Sequence, residues 1–247
     1  MWKLWSCGLL LASLGCENPS APEIADESPG IALEGGSTLV FEDEGLLDAQ
    51  RDGIVQGVRE TVSAVRRLMD VNGVTIRVDA GTAYVIPEIG LGGRTTSPGE
   101  ILIVVNPDSP AWPGSLSTEL FPLLAHEMHH IMRIRAVGFG ANLLEAMVTE
   151  GLADQFSIEV AGVGPPIWST ALSPDELDLW SERARAQWYD SGYNHDAWFF
   201  GTGGEIPRWA GYSIGFELTR AYILANPDRP PSQLYGFAAS AFVPASE

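Results

Sequence analysis

The chain has very little cysteine, histidine or lysine. Its two cysteines are Cys7 and Cys16. Everything after Cys16 therefore holds no disulfide, no thiol nucleophile and no cysteine metal ligand. Lysine occurs once, at Lys3, and every later basic residue is arginine. Fourteen basic residues stand against 32 acidic ones, a formal net charge of −18. That balance excludes the basic surface that nucleic-acid phosphates require, and gives no support for docking on anionic headgroups. It fits solubility outside a cell. At 247 residues, 45% hydrophobic and 19% charged, the composition is that of a globular protein with one core of ordinary size.

The N-terminal apolar run, residues 4–14, has the length of a signal-peptide h-region and is too short to span a bilayer comfortably. It ends in Ser13-Leu14-Gly15-Cys16, similar to a bacterial lipobox whose cysteine becomes the lipidated first residue. Ser13 stands where leucine is usual, and Lys3 is the only charge before the run. The expected organisation is a signal peptide over residues 1–16 with lipidation at Cys16, an acidic Pro/Ser/Gly tether over 17–36, and a catalytic domain over 37–247. Export to a bacterial cell envelope, with a lipid anchor in the membrane, follows from that organisation. Plain secretory cleavage and an uncleaved anchor are the alternatives. The sequence says nothing of oligomeric state.

Three of the four histidines fall together in His126-Glu127-Met128-His129-His130. On a helix, His126 and His130 leave one face a turn apart, a separation that suits two corners of a zinc tetrahedron. Glu127 sits where a carboxylate can take a proton from a metal-bound water. A third ligand is available in Glu150, 20 positions beyond His130 on a second predicted helix. Asp154, one turn further, is placed to accept the free ring N–H of a ligand histidine, His126 by preference. His129 lies off the ligand face and reads as a packing or surface histidine. Zinc is the expected ion, although N/O sites of this type also take cobalt or manganese.

Periodicity predicts a helix over 46–69, strands over 74–78 and 83–86, a turn at 90–94, and an apolar strand over 100–106. That last strand is either an ordinary core strand or an edge that pairs with extended substrate. Residues 109–117 read as a loop. Thr118 or a neighbour caps the motif helix, with Pro122 in its first turn. The second helix spans 142–160 after the turn Gly138-Phe139-Gly140. Residues 162–170 form a loop. A helix over 173–189 opens on a Ser173/Glu176 capping box with Pro174 at its first position. A glycine- and aromatic-rich loop (192–207), a helix (209–225) and a tail with one short helix complete the chain. The class is α+β: a small N-terminal sheet with helices, then a mostly helical zincin-like domain.

Gly92-Gly93-Arg94, the strand before the motif, LLAHEMHH, LLEAMVTEGLAD and Gly211-Tyr212-Ser213-Ile214-Gly215 together resemble the predicted zinc-dependent proteases of the DUF2268 group, gluzincin-type metallopeptidases. The resemblance runs from about residue 90 to 222. It implies His126, His130 and Glu150 as zinc ligands, Glu127 as base, and peptide-bond hydrolysis of a peptide or protein substrate. An oxyanion donor is also needed. Tyr212, between glycines at a helix start, and His195, in an aromatic loop, are the two candidates. Arg94 reads as structural in preference to a substrate-carboxylate ligand. Trp168, Trp198 and Trp209 either line a cleft or simply pack. A silent binding lipoprotein and a zinc hydrolase of a non-peptide bond are the competing readings; the intact Glu127 argues against the first.

Overall fold

The computed structural model describes residues 30–243. The expected signal peptide, Cys16 and most of the tether lie outside the described residues. No helix among the described residues is long and apolar enough to cross a membrane.

Five strands form one mixed sheet: β1 (Ile31–Ala32), β2 (Thr38–Phe41), β3 (Thr75–Ala80), β4 (Leu91–Ser97) and β5 (Glu100–Val105), in spatial order β1-β2-β3-β5-β4. The central pairs β2/β3 and β3/β5 are parallel, whereas β1/β2 and β4/β5 are antiparallel. Alternation explains the strands: Leu39 and Phe41, Ile76 and Val78, Ile101 and Ile103 are buried. Helix α1 (Arg51–Arg66) turns Ile54, Val58, Val62 and Val65 inward at helical spacing.

Two sequence expectations are overturned around this sheet, and one open alternative is decided in favour of a core strand. The expected turn at 90–94 ends at left-handed Gly90, and residues 91–94 are already strand β4, where Gly92 and Gly93 meet close neighbours and have no positive φ. The strand expected over 83–86 reduces to one bridge, Ile86 to Leu91. The 100–106 strand is interior to the sheet, so β4 and not β5 is the edge. In addition, Ile31–Ala32, inside the expected tether, pairs with β2.

Residues 109–117, expected as a loop, contain helix α2 (Trp112–Thr118), with Pro113 tolerated in its first turn. The motif helix α3 (Leu120–Val137) follows after Glu119, its N-cap residue, which supplies no side-chain cap. Thr118 instead bonds back to the Gly114 carbonyl at 3.3 Å, closing α2. Helix α4 (Leu143–Ala161) is capped by Asn142 and ends at left-handed Gly162. Helix α5 (Pro174–Arg185) carries the Ser173/Glu176 capping box. The glycine-rich loop contains a short helix, α6 (His195–Phe200), capped by Asn194. Helix α7 (Ala210–Ala225) and two 3₁₀ turns, Pro231–Gln233 and Ala239–Phe242, complete the fold where one short helix was expected.

Two apolar cores result. One joins the sheet with α1 and α3; the other joins α4, α5, α6, α7 and the tail. Helix α3 packs against β4 and β5 on one side and α4 on the other. Tyr212 packs against both cores. Helices α4 and α7 meet backbone to backbone: a Cβ on Gly151 would lie 2.1 Å from the Gly215 carbonyl oxygen.

Candidate metal centre

The motif lies in a helix buried nearly all round, and His126, Glu127, His129 and His130 are all buried. The i, i+4 spacing brings His126 Nε2 and His130 Nε2 to 2.9 Å. The close α3/α4 packing sets Glu150 against both: its Oε2 is 3.2 Å from His126 Nε2 and 3.4 Å from His130 Nε2. A tetrahedral zinc site with bonds of about 2.0–2.1 Å has donor–donor edges of roughly 3.3–3.4 Å. The His126–His130–Glu150 set fits such an ion in donor type and separation, and could hold one.

The electrostatics agree. Burial works against a charge on His126, but Asp154, with Glu150, holds its pKa well above the ordinary imidazole value. Burial likewise pushes Glu150 up, yet His130 and His126 hold it well below the usual carboxylate range. The pocket calls for a positive charge, which a proton supplies without metal and a cation can supply in its place.

Asp154 is fully buried and fixes His126. Its Oδ1 lies 2.7 Å from His126 Nδ1 and accepts Trp168 Nε1–H at 3.1 Å; its Oδ2 accepts the Ser169 hydroxyl at 2.6 Å. With Asp154 as acceptor, His126 carries a proton on Nδ1, and Nε2 is the nitrogen it can offer to a metal ion. Ser213 donates to the Trp168 carbonyl at 3.0 Å, tying this loop to α7. Trp168 is thus a hydrogen-bond donor inside the site's support, and Ser169 joins it; neither role is signalled by sequence spacing. Trp198 is core, set edge-to-face on Trp180, and Trp209 is covered by the Arg208 guanidinium.

Glu127 faces β4. The Thr95 hydroxyl lies 2.8 Å from Glu127 Oε2 and 3.0 Å from the Glu127 carbonyl oxygen. Neighbouring Arg94 is exposed, its guanidinium over the Tyr84 ring. His129 is fully buried and packs beside Phe156, and burial first, then its charged neighbours, pushes its pKa well below the ordinary value.

Both expected donor candidates reach one aromatic cluster. Tyr212 meets the Phe199 ring edge-on, and His195 stacks on the same ring at 4.4 Å. Burial, then the fields of Glu150, Asp154 and Glu127, raise the Tyr212 hydroxyl well above its ordinary pKa, so it stays protonated. His195 is exposed, with Nδ1 3.1 Å from the Tyr193 hydroxyl. Tyr193 itself is raised by burial and by Glu150, which makes it a further hydroxyl within the field of the site.

The family model described as "Predicted Zn-dependent protease (DUF2268)" matches residues 54–243. The chain is 26% identical over 164 residues to the uncharacterized protein YjaZ of Bacillus subtilis, an alignment covering 64% of this chain and 60% of that protein. No solved structure matches. With the family model spanning most of the chain, including every residue of the cluster, the protein belongs to the DUF2268 family of predicted zinc-dependent proteases.

Proposed function

We propose that the protein is a zinc metallopeptidase that hydrolyses peptide bonds. The observation that carries this is the convergence of His126 Nε2, His130 Nε2 and Glu150 Oε2 within 3.4 Å of one another, with Glu127 next in the helix. Zinc held there would supply Lewis-acid polarisation of a water and of the scissile carbonyl. Glu127 takes the water proton as the water oxygen bonds to the carbonyl carbon. The same carboxyl returns that proton to the departing amine nitrogen as the C–N bond breaks. Tyr212, held protonated by burial and by the field of the Glu150, Asp154 and Glu127 carboxylates, is the favoured donor to the oxyanion; exposed His195 is second.

Beyond Gly93, the outer edge of β4 pairs with no strand among the described residues. An extended peptide adding to that edge would lie along the strand that touches Glu127. We further propose that Cys16 carries a lipid, which holds the enzyme on the cell envelope at the end of its tether; the lipobox-like sequence supports this.

The deciding experiment is zinc content and turnover of a quenched-fluorescent peptide library, with wild type beside Glu150→Ala and Glu127→Ala. About one zinc per chain in wild type is expected, weakened by Glu150→Ala; turnover should vanish in Glu127→Ala with zinc retained. Folded wild-type protein that takes up no zinc when zinc is supplied would overturn the enzyme reading. Zinc uptake with hydrolysis only of esters or other non-peptide bonds would move the assignment to a different hydrolase.

A further inference from the structure

We infer that Gly93 and Thr95 of the edge strand are positioning residues for Glu127: the side chain that Gly93 lacks is the space the carboxylate fills, and the Thr95 hydroxyl fixes one of its oxygens. The geometry stands by itself; its catalytic consequence rests on the metallopeptidase reading above.

Successive strand residues face opposite ways. Along β4, Gly93 and Thr95 are partly buried while Arg94 and Thr96 are exposed, so the first pair shares the face turned to α3. Gly93 is not among the glycines with positive φ. Its backbone therefore does not require glycine, and glycine weakens a strand interior. Space requires it. A Cβ at Gly93 would lie 2.8 Å from Glu127 Oε1 and 2.9 Å from its Cγ. Glu127 is only 4% exposed, so its carboxylate cannot swing into solvent to make room. The adjacent Gly92 has a different reason: its Cβ would meet the Tyr84 carbonyl oxygen at 2.1 Å. Gly92 serves the packing of the strand, and Gly93 serves the carboxylate.

Thr95 supplies the second constraint. Its single hydroxyl proton is within reach of both Glu127 Oε2 and the Glu127 carbonyl. One carboxylate oxygen is thereby held, while Oε1 receives no hydrogen bond from the described residues. A base fixed at one oxygen and bare at the other is preorganised to accept a proton without first breaking a protein contact. The strand whose free edge suits an extended substrate thus also sets the orientation of the base.

Two double-mutant cycles test this, read by thermal melting of the metal-free protein. Gly93→Ala should lower the melting temperature by roughly 3 °C or more in the wild-type background. In the Glu127→Ala background the obstacle is gone, and the same substitution should be neutral or slightly stabilising. Thr95→Val should likewise cost stability only where Glu127 is present. Equal drops in both backgrounds for both substitutions would overturn the assignment. In the zinc-loaded enzyme, with the peptide library as substrate, Thr95→Val should lower kcat about 10- to 100-fold at nearly unchanged KM and full zinc content, and Thr95→Ser should restore most of it. Wild-type kcat in Thr95→Val would overturn the positioning role. A wild type without turnover would sink the peptidase reading, and the melting cycles would still decide whether β4 holds the carboxylate.

Discussion

His126 donates from Nδ1 to Oδ1 of Asp154 across 2.7 Å, and Asp154, with no solvent exposure, accepts two further hydrogen bonds from Trp168 and Ser169. The carboxylate is held by three donors, so its position does not depend on the histidine it orients. Asp154→Asn keeps the shape but loses the charge and one acceptor oxygen. Zinc affinity should fall about 10- to 100-fold, measured by chelator competition. Unchanged affinity would show that helix packing alone orients His126.

The metal-free protein should lose stability as pH rises above neutrality. His126 has a pKa raised above its unfolded value of 6.5. Its contribution is complete below that value and is lost as pH climbs through the raised one. Glu150, with a lowered pKa, contributes above its unfolded value of 4.5 and loses that contribution only as pH falls through the lowered one. His129, which burial holds neutral, acts in the acid range: its contribution is complete above 6.5 and is lost as pH falls below that value. The decline above 6.5 is therefore assigned to His126. Melting temperatures at pH 6.5, 7.5 and 8.5 should fall in chelator, whereas zinc should abolish or reverse the fall because its ligands bind deprotonated. A rise across this range in chelator would contradict the His126–Asp154–Glu150 arrangement.

The His126–His130–Glu150 cluster was legible because helical spacing converts directly into geometry. His126 and His130 needed only α3, and Glu150 and Asp154 only α4 alongside it. The Ser173/Glu176 box was legible for the same reason: it is a local hydrogen-bond pattern. What was not legible depends on contacts between segments distant in sequence. Glycines at 92 and 93 read as a turn because the Tyr84 carbonyl and the Glu127 carboxylate that require them are not neighbours in the chain. Trp168 and Ser169 read as loop residues because no periodicity links them to Asp154. Helix α2 was hidden by Pro110 and Pro113, which signal a loop unless a helix is known to begin there.

Tyr212→Phe tests the oxyanion donor. The Tyr212 hydroxyl remains protonated at neutral pH because burial and three nearby carboxylates disfavour its anion. Removing it should lower kcat roughly 100-fold, with zinc content unchanged. His195→Phe, at an exposed position, should change kcat less than about threefold. The reverse ranking would assign the donor role to the Tyr193–His195 pair, whose members lie 3.1 Å apart.

Gly215→Ala should destabilise the protein and weaken zinc binding together. In an unhindered helix the substitution stabilises by about 1 kcal/mol. Here a Cβ on Gly215 would lie 1.9 Å from the Met147 carbonyl oxygen, and backbone cannot yield as a flexible side chain can. Helix α7 must move off α4, with a net loss of about 2–3 kcal/mol. Met147 and Gly151 flank Glu150 on α4, so the displacement reaches the Glu150 carboxylate. Gly114→Ala is the matched control: it is exposed in α2, nothing lies within 4 Å of its would-be Cβ, and it should stabilise. Denaturant midpoints and zinc competition on the two variants separate helix propensity from the α4/α7 contact. If both variants stabilised equally, the two backbones would not be in contact, and the placement of Glu150 would need another support.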